Sequence, residues 1–119
     1  MHQNHRQILS FKYALDGIWS ALKEEPNLKI HCLIAILVLV LSFILQLSRI
    51  DFILIIILIG LVIALELTNT SIEAVVDSLT QEEHPGAKLA KDISAGAVLI
   101  VSLTAAVTGI IIFLPYLNF

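Results

Sequence analysis

Residues 52–77 read FILIIILIGLVIALELTNTSIEAVVD, and this stretch decides the fold. Its first fourteen residues carry no charge, and then Glu66 arrives inside a continuing hydrophobic pattern. Isoleucine and valine at this density would suit strands in water. In lipid, a run of this length has to be a helix, because each backbone N–H and C=O must find its partner within its own segment. Two similar runs flank it. Residues 30–47 read IHCLIAILVLVLSFILQL, and residues 95–117 read AGAVLIVSLTAAVTGIIIFLPYL. About 20 such residues cross the hydrocarbon core of a bilayer. The expected architecture is all-α: three transmembrane helices over 30–47, 52–76 and 95–117, with a polar loop over 77–92.

Composition agrees. Of 119 residues, 58% are apolar and 14% are charged, with a mean hydropathy of +0.95. A soluble domain would carry about a quarter charged residues. The net charge of -3 argues against a nucleic-acid partner. The single cysteine, Cys32, lies in an apolar run, cannot close an intrachain disulfide and reads as a buried thiol. The first apolar run comes too late, after too polar a lead, for a secretory signal peptide. The chain shows no soluble domain, internal repeat or low-complexity linker, and it reads as a single membrane domain over 1–119.

Residues 6–25, RQILSFKYALDGIWSALKEE, behave differently. Ile8, Phe11, Leu15, Ile18, Trp19 and Leu22 recur at helical spacing and form one apolar face. Arg6, Lys12, Asp16 and Lys23 fall mainly elsewhere. A tryptophan-bearing amphipathic helix reads as lying in the membrane interface; the plainer alternative packs it on the polar ends of the other helices. Pro26 bounds it, because the residue before a proline is pushed out of the helical region. The basic residues orient the chain. Arg6, Lys12, Lys23 and Lys29 precede the first run, Lys88 and Lys91 lie between the second and third, and Arg49 alone sits between the first and second. By the positive-inside rule, the N-terminus and the 77–92 segment are cytoplasmic and the C-terminus is outside. Small residues in the third run (Ala95, Gly96, Ala97, Ala105, Ala106 and Gly109) would let helices approach closely, which suggests a homo-oligomer.

The chemistry concentrates in residues 66–92. On a helix, Glu66, Asn69, Glu73 and Asp77 follow spacings of three, four and four and make one stripe. Ionisable groups at membrane depth cost several kcal/mol unless they face protein, water or a partner. An acidic stripe at a helix end is commonly just a solvated face. Here Glu66 follows an apolar membrane run too closely to be freely solvated. Hard oxygens in this arrangement suit Mg²⁺, which takes one or two carboxylates together with substrate phosphates. Lys91, beside Asp92, supplies a positive charge where a polyphosphate could dock. Neither a Walker A sequence nor a kinase-type glycine loop is present. From physics alone, a proton relay, a small cation transporter or a structural membrane protein would use the same acids. His31 reads as a helix-end histidine, and His84 before Pro85 as either a turn residue or a nucleotide contact. Trp19 reads as an interfacial anchor or a lipid contact.

The segment Glu66-Leu67-Thr68-Asn69-Thr70-Ser71-Ile72-Glu73-Ala74-Val75-Val76-Asp77 resembles the E-L-x-N-T-x-I-E-x-x-V-D motif of the prokaryotic diacylglycerol kinase family. The likeness continues through His84-Pro85 and from Ala87 to Leu99, and Tyr13, Gly17 and Glu25 anchor it near the N-terminus. The form of the 84–99 stretch is similar to the Gram-positive branch, whose members phosphorylate undecaprenol rather than chiefly diacylglycerol. The resemblance implies a homotrimeric membrane kinase that moves phosphate from ATP to a lipid hydroxyl with Mg²⁺. It implies Glu66 as catalytic base and Glu25 and Glu73 as metal-binding carboxylates that also serve the ATP site. Lys91 and Asp92 would lie at the nucleotide, as would Arg6, Tyr13, Glu82, Glu83 and His84. Asn69 and Asp77 would position the motif, and Arg6, Glu66 and Trp19 would meet the lipid. Two departures stand out: Pro26 directly follows Glu25, and Ala95 replaces a serine of some relatives.

Overall fold

The computed structural model describes residues 2–118, and among them every regular element is helical. α1 covers His2–Glu24, α2 Pro26–Ile44, α3 Arg49–Leu79 and α4 Pro85–Phe113, with a single 3₁₀ turn at Leu114–Tyr116. Three of these, α2, α3 and α4 with its closing turn, are long and apolar enough to cross a membrane.

The breaks between helices follow local chemistry. Glu25 adopts extended backbone (φ -104°, ψ 109°) because Pro26 disfavours a helical residue before it. Pro26 then opens α2 at the position where a missing N–H costs nothing. α2 closes through Gln46, whose φ of 55° is left-handed. Its N–H donates to the Phe43 carbonyl (3.2 Å), and the Leu47 N–H donates to that of Ser42 (3.2 Å), so orphan carbonyls at the helix end are satisfied. Ser48 caps α3 by accepting from the Asp51 N–H (3.2 Å). Pro85 starts α4, and the His84 Nδ1 accepts from the Ala87 N–H (3.2 Å) to cap it.

The helices run past the apolar stretches that announce them. At 1.5 Å per residue, the 31 residues of α3 extend about 46 Å, beyond the ~30 Å of hydrocarbon in a bilayer. The 19 residues of α2 extend about 28 Å. α3 therefore carries several turns past the lipid, and those turns hold the polar stripe. The loop expected over 77–92 shrinks to residues 80–84, because the cap at His84 and the proline at N1 nucleate a helix well before the third apolar run begins. Likewise α2 reaches back to Pro26 and stops at Ile44, three residues short of the apolar run, where the left-handed Gln46 turns the chain.

α3 packs chiefly on α4 and then on α2, while α1 lies against α2 and touches α3. Leu28, Ala35, Ile55, Val62 and Ile112 are buried. Most other large apolar side chains are exposed, among them Ile56, Leu61, Leu103, Val107 and Ile111. A water-soluble fold does not leave such a surface bare, and in a membrane it faces lipid or another copy. The apolar face of α1, from Ile8 to Trp19, is also uncovered by the rest of the chain. That favours a helix lying on a membrane surface over one packed onto the other helix ends. A Cβ built on Gly60, Gly96 or Gly109 meets nothing within 4 Å, so within the chain they are not close-approach positions.

At the end of the bundle opposite the stripe, α4 is tied to the α2–α3 turn. The Tyr116 hydroxyl donates to Asp51 Oδ2 (2.6 Å) and accepts from the Ser48 N–H (3.0 Å). Phe43 and Phe52 stack beside the same turn, with ring centroids 5.2 Å apart. Tyr116→Phe removes both hydrogen bonds and leaves their partners open. It is expected to lower stability by roughly 1–3 kcal/mol, read as an earlier midpoint in SDS-induced unfolding from detergent micelles.

Candidate active site

The stripe on α3 is graded by depth. Glu66 is 3% exposed and Asn69 9%, Glu73 is half-buried, and Asp77 is exposed. The grading follows from the helix leaving the bundle: each step of three or four residues carries the next side chain farther from the packed helices. His31 of α2 lies against Glu66, while Asp77 is two residues from the end of α3.

Each member has a definite neighbour. The Asn69 Nδ2 donates to Glu73 Oε1 (3.2 Å), which fixes the amide's orientation and steadies the carboxylate. The Asn69 Oδ1 is buried and has no partner among the described residues. His31 Nε2 lies 3.6 Å from Glu66 Oε2. Lys91 Nζ donates to Asp77 Oδ1 (2.8 Å), joining α4 to α3 at the rim. Asp92 is taken instead by Lys88, whose Nζ donates to Asp92 Oδ2 (2.6 Å) one helical turn away. Lys91 and Asp92, neighbours in sequence, thus serve different partners, because consecutive side chains on a helix diverge by about 100°.

The remaining candidates are dispersed. Glu25 is half-buried at the joint between α1 and α2, where its backbone is extended. Arg6, Tyr13 and Trp19 are exposed along α1; Lys23 Nζ sits 5.8 Å above the Trp19 ring, a cation–π contact. Glu82 and Glu83 are exposed in the 80–84 connection, with the Glu82 carbonyl accepting from the Thr80 hydroxyl (3.0 Å). Of the two readings of His84, the turn role is the one its geometry displays: its Nδ1 is engaged as the α4 cap. A Cβ on Gly86 would come within 3.0 Å of the His84 ring, so the glycine makes room for that cap.

Among the described residues, no three His, Cys, Asp or Glu side chains converge on one point as a ready metal cage. The oxygens at hand nevertheless suit Mg²⁺. The unpartnered Asn69 Oδ1 and the adjoining Glu73 carboxylate are hard donors, and Mg²⁺ needs only one or two carboxylates when substrate phosphates complete its shell.

The residue that sequence reasoning missed is His31. Its place at the start of an apolar run suggested a helix end. What would have raised its standing is register: in an antiparallel α2–α3 pair, a group a few residues into α2 faces one well along α3. A second missed group is Ser102, whose hydroxyl on α4 is buried without a partner among the described residues. Below both, α2, α3 and α4 enclose an open apolar groove of about 610 Å³, lined by His31, Val62, Ser102 and Gly109 among others and reaching Leu117.

The Lys91 amine, on the polar stretch ahead of the third apolar run, titrates above the ordinary 10.5, first because it donates to Asp77 and then through that carboxylate's charge. A raised base gives the pair its full contribution below the ordinary value, and the contribution is lost as pH rises through the higher folded value. NMR titration of the Lys91 side chain is expected to place its midpoint above 10.5, and Asp77→Asn to bring it back down.

Comparison with known proteins follows the same residues. Residues 12–113 match the prokaryotic diacylglycerol kinase family. The chain is 42% identical over 118 residues to the undecaprenol kinase of Bacillus subtilis, covering 98% of this chain and 96% of that protein. It is 37% identical over 109 residues to the diacylglycerol kinase of Synechocystis sp., covering 91% of this chain and 62% of that one. It is 40% identical over 93 residues to the diacylglycerol kinase of Haemophilus influenzae, covering 78% and 79%. A match over most of its length, with the α3 stripe at its centre, makes this three-span membrane protein a member of the prokaryotic diacylglycerol kinase family.

Proposed function

We infer that the chain is an ATP- and Mg²⁺-dependent kinase that phosphorylates the hydroxyl of undecaprenol at the cytoplasmic face of a bacterial membrane. The observation that carries the reading is Glu66, a carboxylate held 3% exposed where α3 leaves its apolar run. It lies 3.6 Å from His31, which lines the open apolar groove, and it begins a stripe that ends in a cation. The choice of undecaprenol rests on the 42% identity, over nearly the full length of both chains, to a protein named undecaprenol kinase. Diacylglycerol is the alternative acceptor, favoured by the names of the Synechocystis and Haemophilus relatives.

Each residue then has a task. A lipid alcohol comes from the bilayer side with its hydroxyl toward Glu66, and Glu66 accepts the hydroxyl proton as the oxygen attacks the γ-phosphorus of ATP. The bond from that phosphorus to the bridging oxygen breaks, and ADP leaves. Glu73 and Glu25 hold Mg²⁺, which when bound neutralises charge on the phosphates. Asn69 fixes Glu73 through its amide and keeps Oδ1 free to coordinate. Lys91 turns from Asp77 to the phosphates, and Asp77 and Asp92 hold the two neighbouring lysines in readiness. Arg6, Tyr13, Glu82, Glu83 and His84 border the nucleotide, and Arg6 and Trp19 on α1 meet the lipid from the interface. Phosphoryl transfer asks mainly for positioning and charge neutralisation, so no soluble nucleotide-binding fold is required.

The whole chain, 1–119, acts as one unit. Its lipid-embedded spans are 30–47, 52–76 and 95–117, its N-terminus is cytoplasmic and its C-terminus outside. The lysines and arginines ahead of α2 and at the start of α4 support that orientation. The unit assembles as a homotrimer, which would cover apolar helix surface and the glycines left open in the single chain.

Transfer of labelled phosphate from ATP, in detergent with Mg²⁺, is expected to reach undecaprenol more readily than diacylglycerol. The reverse preference overturns the choice of acceptor. Glu66→Gln is expected to lower turnover by a factor on the order of 10²–10⁴, with the oligomer unchanged on size-exclusion chromatography. Retained turnover in this variant would remove Glu66 as the base. Glu73→Gln should raise the Mg²⁺ concentration needed for half-maximal rate.

A further inference from the structure

We propose that His31 carries the proton released by the reaction from Glu66 to water. The idea rests on Glu66 acting as the base, and it addresses what that role leaves unresolved. Phosphorylating an alcohol releases one proton per turnover. Once Glu66 has taken it, the carboxylic acid must lose it before a second alcohol can react. Glu66 is 3% exposed, so direct exchange with bulk water is obstructed. Its other neighbours on the stripe offer no path: the amide of Asn69 does not titrate, and Glu73 is engaged by Asn69 Nδ2.

His31 is placed to do it. Its Nε2 lies 3.6 Å from Glu66 Oε2, and among the described residues no other histidine, lysine or arginine nitrogen comes within 4 Å of that carboxylate. The His31 side chain is 23% exposed against 5% for that of Glu66, and it stands near the end of α2 at which Pro26, Asn27 and Lys29 are exposed. His31 is five residues into α2, about 7.5 Å along the axis from its start, and Lys29 nearby is exposed. Imidazole binds and gives up a proton near neutral pH, and its two nitrogens let it receive on one side and release on the other. Chains of acids and histidines serve as proton relays inside membranes for this reason. The step balances. The proton on Glu66 Oε2 passes to His31 Nε2, the proton on Nδ1 leaves to water, and a tautomer shift restores the ring. No electron pair leaves the two residues, and no other reactant is consumed.

A relay acts after chemistry, which separates it from a positioning role. In detergent with Mg²⁺, ATP and undecaprenol or diacylglycerol, whichever the wild-type chain phosphorylates, His31→Ala is expected to retain the single-turnover rate. Its multiple-turnover rate should fall by on the order of a hundredfold. Added imidazole, filling the space left by the side chain, should restore multiple turnover. His31→Gln keeps the size and a hydrogen-bond donor but cannot titrate, and it should show the same split. It provides the test if the alanine variant fails to assemble. Any other pattern in an active protein, including loss of single turnover, unchanged multiple turnover or no response to imidazole, overturns the relay while leaving the kinase reading in place. A wild-type chain inactive toward both lipids overturns the kinase reading, and the relay with it.

Discussion

A carboxylate on a helix that has only just left hydrocarbon must face protein, water or a partner, and the position of Glu66 turns that demand into an architecture. The carboxylate is buried against His31 of α2, Asn69 follows one turn later, and the stripe opens progressively toward solvent. In the proposed function, this gradient from closed to open along a single helix would let two unlike substrates meet. A lipid hydroxyl can arrive from the apolar end and a polyphosphate from the charged end, with neither crossing the other's medium. The helix lengths serve the same constraint. α3 outruns the bilayer by several turns, so one continuous element carries both the membrane span and the acids.

Two ties hold α4 against α3 at opposite ends. Tyr116 bonds Asp51 and the Ser48 N–H at one, and Lys91 bonds Asp77 at the other. Between them the contact is apolar and wide enough to leave a groove. Polar contacts at the ends set the register where apolar packing alone would permit sliding. The exposed pair at Lys91 is weak by nature, as ion pairs in contact with water are. That suits a lysine whose proposed task requires it to change partners.

The surface left bare is informative in the same way. Side chains such as Ile56, Leu103 and Ile111 are exposed in the single chain, and the open glycines lie on the same two helices, α3 and α4. Small residues promote association in lipid when a neighbouring helix can come close. Within the chain no neighbour does. Gly96 therefore has room for another copy to come close, as the proposed trimer would, whereas Ala105, Ala106 and Gly109 line the groove shared with α2 and α3.

The sequence alone determined the fold class and the alignment of the acids along one helix, because both depend on local patterning. Three apolar runs too long for anything but helices in lipid, and acids spaced three and four apart, are legible without knowing what packs on what. Pro26 and its extended neighbour Glu25 were legible for the same reason, since the clash before proline is local. The tertiary structure decided which groups meet. His31 and Glu66 are 35 residues apart, and only the antiparallel packing of α2 on α3 brings them to 3.6 Å. Lys91 looked like the companion of Asp92, yet helix geometry turns it toward Asp77 on another element. The short 80–84 connection and the early start of α4 depended on a side-chain cap from His84 that composition did not reveal. Spacing along one helix is written in sequence; contact between helices depends on crossing geometry, which no single helix contains.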